Sequence, residues 1–157
     1  MLNEDRIILM THMASYEENE GRKNVAIGSY ALIRNTHGGY NIGIGADSLF
    51  YNTTGNQNIG LGIASLYNNL VGENNIAIGT SALNDNTSGS YNIAIGWDAV
   101  LRNSTGIDNI GIGRSALRFN TSGTKNVCIG ADAGRGTAKA KYSYNVLIGY
   151  QAGRFIQ

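Results

Sequence analysis

Asn75-Ile76-Ala77-Ile78-Gly79-Thr80-Ser81-Ala82-Leu83-Asn84-Asp85-Asn86-Thr87-Ser88-Gly89-Ser90-Tyr91 is one complete unit of a pattern that starts again at Asn92. It reads Asn, aliphatic, small, aliphatic, Gly, then Ala-Leu, then Asn-Thr-x-Gly. The anchors are Asn24, Asn41, Asn58, Asn75, Asn92, Asn109 and Asn126, spaced by 17 residues, and Asn145 follows after 19. A short period held this strictly makes each unit one coil of a stack, so the expected fold is an all-β solenoid. Such an architecture points away from catalysis and toward display along a rod.

Within each unit the first stretch alternates strictly, as in Asn24-Val25-Ala26-Ile27-Gly28 and Asn126-Val127-Cys128-Ile129-Gly130. A period of two puts the aliphatic pair on one face and the small residue on the other. The expectation is aliphatics inside the coil and small residues outside, where a neighbouring backbone can come close. A second short strand or bend carries Ala31-Leu32, Ser48-Leu49, Ser65-Leu66, Ala82-Leu83, Ala99-Val100 and Ala116-Leu117. The return turn, as in Asn52-Thr53-Thr54-Gly55, reads as local Asn and Thr hydrogen bonding closed by a glycine of positive φ. The seventh unit replaces that turn with Arg135-Gly136-Thr137-Ala138-Lys139-Ala140-Lys141, an expected basic, exposed insertion.

Twenty-two glycines and no proline fit a chain of tight turns in which every strand donates to a ladder. The net charge of +1 gives no reason to expect a nucleic-acid or anionic-membrane partner. No apolar run is long enough for a transmembrane helix, and Met1-Leu2-Asn3-Glu4-Asp5 lacks the basic start of a secretory signal. Cys128, the single cysteine, allows no intrachain disulfide and reads as a packed thiol.

Residues 1–22 break the pattern, and the β-roll domain is placed at 23–157. Ile7-Ile8-Leu9-Met10, Met13, Ala14 and Tyr16 make an apolar stripe that predicts a short amphipathic helix over about 3–20. Asn3 would cap it and Gly21 end it. That helix would close an open sheet edge or hold chains in register. Each 17-residue coil carries few large apolar side chains, so a partner chain is expected to complete the burial, with three-fold symmetry suiting a fibre. Seven coils at the interstrand spacing give a rod of roughly 34 Å.

The units Asn24-Val25-Ala26-Ile27-Gly28-Ser29-Tyr30-Ala31, Asn75 to Ala82 and Asn92-Ile93-Ala94-Ile95-Gly96-Trp97-Asp98-Ala99 resemble the head repeats of trimeric autotransporter adhesins. The resemblance covers 24–153. It implies left-handed β-rolls that assemble as homotrimers. The longer units with an Asn-Thr-x-Gly turn are also similar to segments of phage tail fibres. The adhesin heads have a shorter repeat, and no signal peptide or C-terminal membrane anchor is visible here, which favours a phage-type fibre, a piece of a longer protein or a free-standing relative. The expected location is extracellular, at a cell surface or on a virion.

The chemical alternatives are weaker. The Gly-x-Gly pairs, such as Gly43 and Gly45, recur with the repeat and open no helix, so they read as structural glycines, not a phosphate cradle. Asp47, Asp98 and Asp132 share one slot, but Ala64, Ser81 and Ser115 interrupt any calcium ladder. The hydroxyl column of Thr36, Thr53, Thr87 and Thr121 is broken by Leu70 and Ser104, so turn chemistry outweighs ice binding. His12 and His37 lie in unrelated segments and form no triad pattern. The sequons at Asn52, Asn86, Asn103 and Asn120 recur by architecture and read as turns. No catalytic residue, cofactor or metal is expected, and no membrane insertion.

The anchor column Asn24, Asn41, Asn58, Asn75, Asn92, Asn109, Asn126 and Asn145 is expected to stack as an amide ladder. Binding would use the slots where the repeat varies, which hold aromatic and arginine side chains suited to glycans or protein hot spots. The candidates are Trp97, Tyr30, Tyr51, Tyr67, Arg102 and Phe119, and the same variable slots also hold Arg34, Tyr40, Phe50, Tyr91 and Arg118. The functional expectation is a non-enzymatic attachment module for a host glycan or surface protein; the alternative is a rigid spacer without a ligand.

Overall fold

The computed structural model describes residues 8–10, 20–137 and 140–156. Among the described residues, nine three-residue strands form one parallel sheet in sequence order: β1 (Ile8–Met10), β2 (Val25–Ile27), β3 (Ile42–Ile44), β4 (Ile59–Leu61), β5 (Ile76–Ile78), β6 (Ile93–Ile95), β7 (Ile110–Ile112), β8 (Val127–Ile129) and β9 (Val146–Ile148). Each strand pairs with the next without slippage, so Ile42 faces Ile59, Ile59 faces Ile76 and Ile76 faces Ile93. The chain is a β-solenoid with one strand per coil.

The ladder is not confined to those strands. In the bend after β2, Leu32 N–H donates to Ser48 O at 3.0 Å and Arg34 N–H to Phe50 O at 3.1 Å, while Asp47 N–H donates back to Ser29 O at 2.8 Å. These bonds repeat in the following coils, as from Leu49 N–H to Ser65 O and Leu66 N–H to Ala82 O. Each coil is therefore tied to its neighbours around most of its perimeter, which satisfies the backbone groups of a chain with little regular strand. Many non-glycine residues take left-handed φ to achieve it, among them Leu32 (53°), Leu49 (54°), Leu66 (52°) and Leu83 (51°).

The facing of the strands is the reverse of the expectation. Ala26, Ala77, Ala94 and Cys128 are fully buried, while the flanking aliphatics are only half-buried, in the same pattern from β2 through β8 except where Leu61 is exposed. The reason is room. Leu32, Leu49, Leu66, Leu83, Val100 and Leu117 turn inward from the bend and fill the narrow cross-section, together with Ala31, Ala82 and Ala99. Only a methyl group or a hydrogen then fits across from them. At Gly111 an added Cβ would lie 2.4 Å from the Val100 Cγ2, and at Gly60 2.5 Å from the Ser48 Oγ.

The return-turn glycines also differ from expectation, since their φ is not positive. A Cβ on Gly55 would meet Gly72 O at 2.4 Å and Asn52 Oδ1 at 2.5 Å, so the residue is glycine because two coils and a side-chain ladder converge there. Positive φ belongs to the glycine that closes each strand, such as Gly45 at 129°, whose Cβ would strike the Gly62 carbonyl of the next coil.

The predicted N-terminal helix is not found where it can be tested. Ile8–Met10 is β1, pairing with β2 one repeat before it, so the sheet extends across the expected boundary at 22/23. Glu20 and Gly21 both donate backbone N–H groups to Thr36 O and so already belong to the stack. The rest of the helix reading, apart from residues 20–22, lies outside the described residues. No helix occurs among the described residues.

Candidate functional site

Two asparagine ladders hold the coils in register beneath the surface. In the anchor column, Asn75 Oδ1 accepts from the Asn92 backbone N–H at 3.0 Å and from Asn92 Nδ2 at 3.1 Å, while Asn75 Nδ2 donates to Gly89 O at 2.8 Å. The same bonds join Asn41 to Asn58, Asn58 to Asn75, Asn92 to Asn109 and, across the longer gap, Asn126 to Asn145. A second column, read from sequence only as local turn chemistry, runs beside it. Asn52 Nδ2 donates to Asn35 Oδ1, Asn69 to Asn52, Asn86 to Asn69 and Asn103 to Asn86. Both columns end on the same glycine carbonyls: Gly55 O accepts from Asn41 and from Asn52. The four sequon asparagines are fully buried, which leaves no room there for a glycan in the folded chain. The Thr36, Thr53 and Thr87 hydroxyls donate to carbonyls of the following coil and form no free hydroxyl rank.

Variation is pushed to the outside, and there the structure gathers side chains into two clusters. The first spans three successive coils. Phe50 stacks on Tyr67 at 5.1 Å and 27°, Tyr51 meets Tyr67 edge-on at 5.3 Å and 86°, and Tyr30 approaches Phe50 at 6.2 Å. Tyr30 and Tyr51 are exposed, and Tyr67 is half-buried. Desolvation raises the Tyr67 phenol above its ordinary pKa, reinforced by Tyr51 and Asp47, so it stays a neutral donor. Three of the expected residues thus sit together, completed by Phe50.

The second cluster lies toward the C-terminal end. The Arg118 guanidinium lies 6.0 Å from the Trp97 ring and 5.1 Å from the Phe119 ring, and Arg135 is 5.5 Å from Phe119 on the other side. The Arg118 Nη2 is 3.0 Å from Asp98 Oδ2, which orients the fork. Trp97, at 51 % exposure, offers an open ring one residue beyond the glycine that closes β6. Arg102 joins neither ring set and pairs with Asp85 at 3.5 Å instead. Arg135 and Asp98, which sequence reasoning did not single out as binding residues, complete this cluster. Their signal was present in the shared repeat slots of Arg118 with Arg135 and of Asp98 with Asp132.

Cys128 is fully buried, and burial pushes its thiol up to about 12, which removes it as a nucleophile near neutral pH. It fits because Gly134 stands where the earlier coils carry Leu or, at Val100, Val; a Cβ there would be 2.4 Å from the Cys128 sulfur. Tyr142 fills the remaining space, and burial raises its phenol pKa strongly. His37 is exposed beside Glu20 at 3.3 Å. No group of three or more His, Cys, Asp or Glu side chains able to hold a metal ion occurs among the described residues. No helix among them is long and apolar enough to cross a membrane.

No protein-family model matches the chain, and no curated protein or solved structure matches it.

Proposed function

We propose that this chain is a non-enzymatic attachment module, a left-handed β-roll that works as a homotrimer on a bacterial surface or phage fibre and binds a host glycan or surface protein. The observation that carries the reading is the distribution of variation. Buried slots keep Asn, Ala, Gly or Leu through most coils, while outward slots gather rings and arginines into two exposed clusters. Flat aromatic faces beside hydrogen-bonding groups are the usual means of gripping sugar rings and protein hot spots.

The trimer rests on a different surface. Val25, Ile27, Ile42, Ile44 and their counterparts along the sheet make two outward columns of aliphatic side chains about 34 Å tall. A patch of that kind calls for cover. A second copy is the fitting occupant, because β2 through β9 each present an aliphatic pair in the same register and two rods in parallel match rung for rung. Light scattering should give three times the chain mass of 16.7 kDa, and an Ile78→Glu, Ile95→Glu double variant should fall to the single mass. A monomeric wild type would remove the trimer.

The second reading is a rigid spacer without a ligand, favoured by hydrogen bonding that runs nearly unbroken around each coil. A glycan array and host-cell binding screen with wild type and Tyr51→Ala separates the two. Retained signals that fall in the variant support attachment; uniform silence supports the spacer.

A further inference from the structure

Charge is distributed unevenly along the rod. Residues 1–74 hold four Lys and Arg against seven Asp and Glu, whereas 75–157 hold eight against four, so the near-neutral total hides an acidic half and a basic half. The basic half is organised. The slot that carries Ile33, Phe50 and Tyr67 in the first coils carries Arg118, Arg135 and Arg154 in three successive later ones, and the pairing of β7, β8 and β9 sets these three above one another. Each arginine faces a ring: Arg118 has Trp97 and Phe119, Arg135 has Phe119, and Arg154 lies 5.3 Å from Phe155.

Internal carboxylates neutralise this column only in part. Asp98 takes Arg118, and Asp132 is shared between Arg114 at 3.8 Å and Arg135 at 3.9 Å. Arg154 has no carboxylate partner among the described residues, and the Nε–H groups of Arg118, Arg135 and Arg154 are buried without a hydrogen-bond acceptor, so any contact with a ligand falls to the Nη groups. Arg102 and Arg114 flank the column with side chains 57 % and 58 % exposed. One partly exposed guanidinium therefore stands in each of three successive coils, roughly 5 Å from the next along the rod axis and interleaved with flat rings.

We infer that this face binds a linear acidic polysaccharide laid along the rod, its carboxylate or sulfate groups on the arginine column and its pyranose faces on Trp97, Phe119 and Phe155. The inference deepens the attachment reading and rests on it. Arginine forks recognise carboxylate and sulfate oxygens in bidentate fashion, and the rings suit the C–H faces of sugars. A nucleic acid fits less well, because the chain carries a net charge of only +1 and a sequence pI of about 7.8, short of the strongly basic balance that binding to a phosphate backbone uses.

The test is fluorescence anisotropy of the full chain with four labelled probes: alginate oligomers, heparin fragments, neutral dextran and a single-stranded oligodeoxynucleotide. Binding of alginate or heparin that weakens as salt rises, with dextran silent, is the expected result. An Arg135→Gln, Arg154→Gln double variant with unchanged thermal unfolding should lose about tenfold or more in affinity. Should that pair fail to fold, the more exposed Arg102→Gln, Arg114→Gln pair should show a several-fold loss. Absence of binding to either acidic glycan, or equal affinity in a folded variant, overturns the inference, as does tighter binding of the oligodeoxynucleotide. If only neutral glycans bind, and Tyr51→Ala abolishes it, this inference fails while the attachment reading survives; silence toward every probe together with a silent glycan and cell-binding screen sinks both.

Discussion

Replacing Asn75 by alanine removes one rung from the middle of the anchor ladder, and the consequences can be followed atom by atom. The Asn75 side chain donates to Asn58 Oδ1 at 3.1 Å and Gly89 O at 2.8 Å, and accepts from the Asn92 backbone N–H and from Asn92 Nδ2. Most of its partners have a second bond to fall back on. Asn58 Oδ1 keeps the Asn75 N–H, Gly89 O keeps Asn86 Nδ2, and Asn92 Nδ2 keeps Gly106 O. The Asn92 backbone N–H loses its acceptor in a site closed to water. Orphaning a buried donor costs about 1–3 kcal/mol and each other lost bond about 0.5–1 kcal/mol, for a total near 3–5 kcal/mol. For a chain of this length that lowers Tm by roughly 10 °C. Asn145→Ala is the internal control, because Asn145 is half-buried at the last rung and its side chain makes only the two bonds to Asn126 Oδ1 and Ser143 O. Its loss should cost about 1 kcal/mol. Thermal unfolding by far-UV circular dichroism at one fixed protein concentration measures both. Equal Tm values for the two variants would refute a ladder that carries stability mid-stack.

Gly111→Ala, which drives a methyl into Val100, should destabilise by about 1–3 kcal/mol, while Gly43→Ala, whose new Cβ finds its nearest neighbours at 3.4 Å, should change stability by less than about 1 kcal/mol. Chemical denaturation of the pair checks this. Ala64 holds a φ of 53°, so Ala64→Gly relieves left-handed strain and should raise stability by about 0.5–1 kcal/mol, read as a higher denaturation midpoint. Folded Cys128 should resist an aromatic disulfide reagent at pH 8 and react on unfolding. Its pKa is raised by folding, from 9.0 to about 12, so the protonated thiol stabilises the fold fully below pH 9 and that stability is lost as pH climbs toward 12. Cys128→Ala should flatten that alkaline decline in the denaturation midpoint, leaving the share due to Tyr142, whose pKa burial also raises.

The period, the strand positions and their register were all legible, because one asparagine per coil marks the phase and no insertion disturbs it before residue 137. The direction in which the strands face was not. Alternation of Ile, Ala, Ile separates two faces but does not say which is interior, and the habit of placing large side chains inside gave the wrong answer for a coil already filled by Leu49 and Leu66. The second asparagine column was visible as a repeat but read as a local motif, since its partners are 17 residues away as well as three. Strand β1 escaped notice because its coil has Ile7 where others have the anchor, Leu9 in the small slot and Thr11 in place of the closing glycine. In the candidate site, Tyr30, Tyr51 and Tyr67 could be named as variable-slot rings, but their contact through Phe50 depends on stacking between coils. The arginine column was hidden by a net charge that averages two unlike halves.

The unbroken register between β3 and β8 makes length an adjustable property of this molecule. Deleting residues 58–74 would set Asn75 directly on Asn41 and Ile76 on Ile42, restoring every rung with a shorter rod. Duplicating the same stretch would lengthen it by one step of about 5 Å. A gene encoding such a chain can gain or lose whole units by unequal recombination without having to solve a new packing problem. The core has no fixed size to defend, so a change in the count of rungs alters the rod's length, and with it the separation of the aromatic end from the arginine end.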